Sequence, residues 1–145
     1  MATRNDPLRN FRFRLEIDGI SQASFSEVAI GETATDAVDY RDGTDPAHVR
    51  KLDGLTKYGN ITLKWGVTDS QDLYNWHKAI VAGQISKNRK MVVISVMDET
   101  GTEKARFTVA EAWPMKYQLG GLNGKGNEVF LETLELVNEG IERVK

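Results

Sequence analysis

Four aspartates spaced three residues apart form the most suggestive acidic pattern in the chain and raise the question of calcium binding. They are Asp36, Asp39, Asp42 and Asp45. An EF-hand loop needs oxygen ligands at alternate positions and a glutamate at its twelfth position, whereas the twelfth residue counted from Asp39 is Arg50. Because Arg41 and Lys51 would also repel a cation, the pattern is more typical of a charge-patterned loop than of a calcium site.

A glycine-rich stretch over residues 119–126 resembles a phosphate-binding loop but fails both tests of that motif. A Walker A motif needs a glycine five residues before its Gly-Lys pair, and Leu119 occupies that position. The residue after Lys125 should be serine or threonine, but it is Gly126. We therefore interpret the stretch as a flexible loop between strands.

The residues needed for nucleophilic or metal chemistry are scarce in this chain. The sequence contains no cysteine, which excludes thiol catalysis and cysteine-zinc sites. Its two histidines, His48 and His77, are too few for a histidine-rich metal site. No Gly-x-Ser-x-Gly nucleophile elbow occurs. The sequence therefore predicts no catalytic residue, no cofactor and no metal ligand, and hence a protein that is not an enzyme.

Composition predicts one folded domain over residues 1–145 and disfavours two classes of partner. Hydrophobic residues make up 40% of the chain and charged residues 28%, which is a globular balance. The formal net charge of −2 provides no electrostatic basis for binding nucleic acid or an anionic membrane. The chain has no apolar run of membrane-spanning length and no secretion-signal pattern at its N-terminus. We therefore expect synthesis in the cytoplasm and no membrane anchor.

The first part of the chain has the alternation typical of β-strands. Residues 1–9 are polar and are predicted to form an N-terminal arm. From Phe11 to Ile17 apolar and charged side chains alternate strictly, which predicts a half-buried strand. Asp18-Gly19 is a strong hairpin signal, and residues 23–40 predict one long strand or two broken ones. Residues 41–54 are rich in turn formers and charges and predict a long exposed loop.

One helix is predicted near the middle of the chain, after a strand over residues 61–67. Residues 68–70 are candidate N-caps, and Gln71 lies three residues after Thr68, as in a capping box. Apolar residues then recur at helical spacing until a stop signal at Gly83. These residues are Leu73, Trp76, His77 and Ile80.

The second half of the chain predicts three further strands. The nearly continuous apolar run over 91–97 predicts a strand covered on both faces, and residues 104–112 complete a hairpin that ends at Trp113-Pro114. A loop over 118–127 and a last strand over 128–137 precede a short charged tail. With about six or seven strands and one helix, the pattern favours a mainly β barrel or sandwich of antiparallel strands with one flanking α-helix.

Several stretches, in the order in which they occur, carry a likeness to a known family. They are residues 6–11, 50–64, 66–69, 112–117, 127–136 and 139–140. Together they span nearly the whole chain and resemble the tail tube protein family of contractile phage tails and phage-tail-like contractile injection systems. This family is related to the type VI secretion ring protein, the haemolysin-coregulated protein.

The resemblance implies a structural protein whose six-subunit rings stack into a hollow tube inside a contractile sheath. Such a tube conducts cargo protein or DNA through its lumen and pierces a target envelope. The implied partners are further copies of the chain, the sheath protein, the baseplate hub and tube-terminating proteins. The protein would be made in the bacterial cytoplasm and would end up in a virion tail or a released injection particle. A type VI secretion ring protein and a stand-alone β-barrel binding module are the alternatives.

Two sets of residues are expected to carry the assembly. Mixed charges set the register of a contact more than its affinity, so the segment 41–54 is expected to be an extended docking loop that stacks one ring on the next. Its charged residues are Arg41, Asp42, Asp45, Arg50, Lys51 and Asp53. A water-filled lumen needs a polar wall, and the candidates on the polar strand faces are Thr62, Lys64, Glu132 and Glu135.

Overall fold

The computed structural model describes residues 12–20, 25–41, 43, 49–67, 70–120 and 130–145. Within them the chain forms nine strands and one helix. The elements are β1 Phe13–Ile17, β2 Glu27–Ile30, β3 Thr33–Tyr40, β4 Arg50–Tyr58, β5 Ile61–Gly66, α1 Asp72–Val81, β6 Lys90–Met97, β7 Glu103–Leu119, β8 Leu131–Val137 and β9 Gly140–Arg143. This confirms the mainly β fold with a single helix, with more strands than the sequence predicts.

Strand β7 is shared by two antiparallel sheets that enclose the core. Its first half pairs with β6 and with β9, and β1 lies beyond β6; we call these strands sheet A. Its second half pairs with β8, followed by β5 and β2; we call these strands sheet B. Side chains of both sheets and of α1 form one buried cluster, which includes Leu15, Ile17, Val92, Ile94 and Val109 from sheet A, Ile61, Leu63, Trp65, Leu134 and Leu136 from sheet B, and Leu73 and Trp76 from the helix.

The period-two prediction is confirmed in β1 and β5, whereas the pairing predicted for β1 is wrong. Leu15 and Ile17 are buried and alternate with exposed charged residues, and β5 buries every second residue from Ile61. Gly19 adopts a positive φ of 74°, as a tight turn after β1 requires. Beyond that turn only an isolated bridge joins Ile17 to Ile20, and β1 pairs instead with β6, which is distant in sequence.

The strand predicted to end at Trp113-Pro114 continues through both residues. Glu111 has a φ of 53°, which bends β7 where it passes from sheet A to sheet B. The pairing with β8 shifts register between Pro114 and Lys116. Because proline lacks a backbone N–H and is tolerated at bulges, this irregularity accommodates Pro114 without ending the strand.

The long segment over 23–40 divides into β2 and β3, which is one of the two arrangements that the sequence predicts. Other details differ from the prediction. The predicted charged tail contains β9, and β6 leaves Met91 exposed although it buries Val92 and Ile94. The helix begins one turn later than the proposed capping box. Its N-cap is Gln71, with no capping hydrogen bond from its side chain, and Thr68 and Asp69 lie outside the described residues. The stop at Gly83 is confirmed by its φ of 85°.

The predicted loop over 41–54 is wrong at its C-terminal end, because residues 50–54 belong to β4. That strand pairs along its length with β3 as a separate two-stranded sheet, which we call the ribbon. Sequence reasoning missed this first part of β4, because a segment rich in turn formers and charges is held in the strand by cross-strand pairing, and local composition does not reveal such pairing. Residues 42 and 44–48 lie outside the described part of the chain.

The ribbon joins sheet B through two glycines in close contact. The Gly31 N–H donates to the Asn60 carbonyl at 2.9 Å, and the Gly59 N–H donates to the Glu32 carbonyl at 2.8 Å. A β-carbon on Gly31 would lie 2.7 Å from the Asn60 carbonyl oxygen, which is closer than van der Waals contact allows. The two chain segments can therefore approach this closely only because Gly31 and Gly59 have no side chains.

Replacing Gly59 by alanine is expected to destabilise the subunit by about 1–3 kcal/mol, the usual cost of overpacking. The added β-carbon would lie 2.6 Å from the Glu32 backbone nitrogen, so the base of the ribbon would have to shift. Urea unfolding of the two proteins measures this difference. Gly43→Ala is the matched control, because a β-carbon there meets nothing within 4 Å. Equal losses in both variants would contradict a steric role for Gly59.

Candidate assembly interfaces

The ribbon exposes an apolar face that is suited to a partner. In an antiparallel pair, residues directly opposite each other share a face, and Val38 lies opposite Leu52, with Tyr40 two residues further along β3. Their exposures are 48%, 48% and 44%. A two-stranded hairpin alone is marginally stable in water. An apolar face on such a ribbon is therefore expected to gain stability from contact with another surface.

The opposite face of the ribbon carries Lys51 and Asp53, two of the charged residues proposed for ring stacking. Lys51 forms an ion pair with Asp39, which it directly opposes, and Asp53 opposes Ala37. Arg50 opposes Tyr40 and therefore lies on the apolar face, at the outer end of the ribbon. Arg41 follows β3 and is exposed. Exposed pairs of this kind contribute about 0–1 kcal/mol. The other two proposed residues, Asp42 and Asp45, lie outside the described residues.

The structure thus places Arg50, Lys51 and Asp53, which were predicted to stack, on the ribbon and adds an apolar set that the sequence reasoning missed. The signal was present as the alternation of Val38 and Tyr40 with Asp39, which is typical of a strand with one buried face. Because apolar anchors usually dominate interface energies and exposed charges contribute little, Val38, Tyr40 and Leu52 are the stronger candidates.

Sheet B presents a polar face on the side away from the core, and three of the four lumen candidates lie on it. Lys64 opposes Glu27 and Thr133, and Thr62 opposes Ala29 and Glu135. Strand β7 extends these rows with Gln118 opposite Thr133 and Lys116 opposite Glu135. On β5 and β8 these side chains alternate with buried residues.

Ion pairs and hydrogen bonds hold this polar face in place. The Lys64 ammonium lies 3.6 Å from the Glu27 carboxylate, and the Asn60 side-chain amide donates to Glu135 at 2.9 Å. Lys116 lies opposite Glu135 in the register, so two glutamates and two lysines alternate across the face. The described part of the face is therefore rich in polar groups and balanced in charge.

The fourth lumen candidate, Glu132, is wrongly placed by the sequence prediction. It has the same parity as the buried Leu134 and Leu136, is only 9% exposed, and lies opposite Trp65 on the core side of sheet B. Glu132 tolerates this position because Tyr117, on the neighbouring strand β7, forms a hydrogen bond with its side chain. Glu132 and Glu135 therefore face opposite sides of the sheet.

Tyr117 is expected to ionise at a higher pH than an unperturbed tyrosine. Burial first, and then the nearby Glu132 carboxylate, raise the pKa of Tyr117 to about 12, above its ordinary value of 10.0. Its ring also packs on Tyr74 and stacks on His77, with centroid distances of 5.5 and 5.9 Å.

The unfolded chain releases the Tyr117 proton near pH 10 while the folded chain retains it, so this group's contribution to stability should fall as pH rises from 10 toward 12. Tyrosinate absorbance in wild type and Tyr117→Phe measures the titration, and a step near pH 10 assigned to Tyr117 would contradict it.

Sheet B has two unpaired edges in the part of the chain that the structure describes. One is β2, which among the described strands pairs only with β5. The other is the second half of β7, from Trp113 onward, because its pairing with β6 stops at Ala112. Unpaired edges expose backbone N–H and C=O groups that favour pairing with another chain. Within the described residues, these edges are therefore open to pairing with another chain.

The fold is that of tail tube and Hcp proteins. A family model, described as T4-like virus tail tube protein gp19, matches residues 9–142. The chain therefore belongs to this tail tube protein family. No curated protein matches it significantly in sequence. No helix within the described residues is long and apolar enough to cross a membrane.

Solved structures share the fold over nearly the whole chain. A chain from the tube-terminating cap of the anti-feeding prophage is 26% identical, with a TM-score of 0.84 and coverage of 98% of this chain and 93% of the other. A chain from the sheath-tube complex of the extracellular contractile injection system PVC is 24% identical, with a TM-score of 0.82 and coverage of 94% and 90%. Hcp1 from Flavobacterium johnsoniae is 16% identical, with a TM-score of 0.57 and coverage of 91% and 94%.

Proposed function

We propose that six copies of this chain form a ring and that rings stack into the hollow inner tube of a contractile tail or injection particle. The tube conducts protein cargo or DNA and is driven through a target envelope when the surrounding sheath contracts. The protein acts as a building block and carries out no catalysis. The observation that carries this proposal is the arrangement of sheet B in a member of the tail tube family. Within the described residues this sheet has two unpaired edges and a polar face on the side away from the core.

The two edges of sheet B are compatible with closure into a ring. Its four strands alternate in direction, so β2 and the second half of β7 run in opposite directions. Rotation about a tube axis preserves strand direction along that axis, and β2 of one copy therefore meets β7 of the next as an antiparallel pair. Such a heterologous contact closes into a ring when the rotation fits, and it removes both edges.

The polar face of sheet B then lines the lumen. Closed barrels of roughly 16–18 strands already leave an aqueous channel, and six copies of a four-stranded sheet contain more strands than that. Thr62, Lys64 and Glu135 lie on this face, opposite the core. Its alternating charges would hold water against the wall and attract neither strongly acidic nor strongly basic cargo.

Stacking is assigned to the ribbon, and the outer partners follow from the type of particle. The ribbon projects from sheet B as a separate sheet and carries both an apolar and a charged face, which suits contact with the adjacent ring. Sheath, baseplate hub and tube-terminating proteins are the expected further partners. The likeness to chains from injection-particle structures exceeds that to Hcp1, which favours a tail or released particle over a type VI system.

Electron microscopy of the purified protein tests the proposal. We expect negatively stained rings with an open centre, and tubes of stacked rings at higher protein concentration. Mass photometry should show a six-subunit species. A protein that stays monomeric at high concentration, with sheath and baseplate partners present, would contradict it and favour a stand-alone binding module.

A further inference from the structure

An exposed methionine interrupts the polar face of sheet B. Met115 is 48% exposed and is the extra residue of β7 where the register with β8 shifts between Pro114 and Lys116. Pro114 is buried, whereas Lys116 opposes Glu135 on the polar face. A bulge sets two residues of one strand against one residue of its partner and re-aims a side chain. The bulge in β7 therefore brings an apolar side chain next to Lys116.

Hydrogen bonds place the Met115 thioether on the polar face. The Asn60 side-chain amide donates to the Met115 sulfur at 3.5 Å and to the Glu135 carboxylate at 2.9 Å. Glu135 points away from the core, since it alternates with the buried Leu134 and Leu136. A thioether sulfur is only a weak acceptor. The amide therefore orients the methionine side chain, which keeps about half of its surface in contact with water.

Two further apolar residues lie beside Met115 on the same face. Trp113 opposes Val137, which has the same parity along β8 as Glu135. Both side chains are half-buried, and neither belongs to the core cluster. Met115, Trp113 and Val137 form what we call the methionine patch. It borders the charged rows of the polar face on the side where the ribbon joins sheet B.

We propose that the methionine patch is a binding site for apolar side chains of a polypeptide in the lumen. This inference rests on the proposed function, in which six copies of the chain repeat the patch as a belt around the channel. Methionine is unbranched and flexible, and it is frequent at surfaces that bind many different partners. The belt would hold unfolded or partly folded segments by burying their apolar side chains, without a preference for one sequence.

The charges around the methionine patch favour a polypeptide over nucleic acid. In the described part of this face, the Lys64 ammonium lies 3.6 Å from the Glu27 carboxylate, and Lys116 opposes Glu135. Nucleic acid is held by positive charges that neutralise its phosphates, and here a carboxylate stands beside each of these two lysines. A polypeptide can use both parts of the face, because its backbone needs polar partners and its apolar side chains gain from burial.

Methionine oxidation tests the site in wild-type tubes, because hydrogen peroxide is small enough to enter the lumen and converts an accessible thioether to its sulfoxide. The probe is a soluble synthetic peptide with leucines spaced along a glycine-serine chain. A glycine-serine peptide of equal length and a single-stranded oligonucleotide are the comparisons. Mass spectrometry follows Met115 and, as the internal control, Met91, which is 56% exposed on β6 of sheet A. We expect the leucine peptide alone to slow oxidation of Met115 several-fold, with Met91 unchanged.

Substitution of Met115 gives a second, independent measurement. Met115→Gln keeps a side chain of similar length and removes the thioether. It should weaken cosedimentation of the labelled leucine peptide with tubes about tenfold, which corresponds to about 1.4 kcal/mol. Met91→Gln is the matched control and should bind the peptide as wild type does.

Each outcome either supports or overturns the inference. Protection of Met115 on assembly alone, before any peptide is added, would place the patch in a contact between subunits and overturn it. Equal protection by the oligonucleotide or by the glycine-serine peptide would also overturn it, as would unchanged oxidation with the leucine peptide. If Met115→Gln does not assemble, the oxidation of wild-type tubes decides the question. Wild-type protein that forms no tubes by microscopy would instead refute the proposed function on which the inference rests.

Discussion

Tubes are expected to disappear when Leu52 on the ribbon is replaced by aspartate, while the subunit stays folded. Leu52 is 48% exposed, so the monomer loses little burial. In a tube the new carboxylate would be taken out of water against an apolar surface. Losing a central interface residue costs about 2–4 kcal/mol per contact, which raises the protein concentration needed for assembly at least about 30-fold. Every subunit of a ring carries the change, so the penalty repeats around the ring.

Tube counts in negative stain over a concentration series measure the effect, and circular dichroism checks the fold. Lys51→Gln is the control on the other face of the ribbon. It removes the ion pair with Asp39, whose expected contribution is about 0–1 kcal/mol because both side chains are exposed. Normal tubes from Leu52→Asp together with lost tubes from Lys51→Gln would show that the charged face, as the sequence alone predicts, makes the contact.

The local spacing of apolar residues predicts those strands and helices that are stabilised by burying one face. The prediction is best where apolar residues occupy that face without interruption. The alternation in β1 and β5 and the helical spacing from Leu73 to Ile80 correspond to β1, β5 and α1 of the structure. Long-range pairing decides the rest. Trp113-Pro114 has the local chemistry of a strand end, yet β8 continues the ladder past it. Similarly, residues 50–54 resemble a loop until β3 pairs with them.

The lumen candidates show the same limit at the level of single side chains. Thr62, Lys64 and Glu135 are assigned correctly to the polar face of sheet B because they alternate with buried neighbours. Glu132 shares its parity with Leu134, so the period-two rule applied strictly would have placed it on the core side. Its charge argued for the polar face, and the sequence does not reveal the partner that compensates for burial, because Tyr117 arrives from another strand.

Cysteines at Thr62 and Glu135 are expected to be blocked in assembled tubes and reactive in dissociated subunits. Both residues lie on the face of sheet B that points away from the core, directly opposite each other on β5 and β8. A maleimide carried on a polymer too bulky to enter the lumen should reach these cysteines only after the tubes have dissociated into subunits. We expect labelling within minutes in dissociated protein and near-complete protection in tubes. A small maleimide, which can diffuse along the lumen, should label both states.

A cysteine at Lys104 provides the matched control, since this residue is exposed on sheet A, on the other side of the core from the proposed lumen. The bulky reagent should label it equally in tubes and in subunits, which shows that protection at Thr62 and Glu135 reflects position and not a general loss of reactivity. Rapid labelling of intact tubes at Thr62 and Glu135 would mean that sheet B faces outward. In that case sheet A would have to line the channel, and the ring contact inferred from the edges of sheet B would close with the opposite curvature.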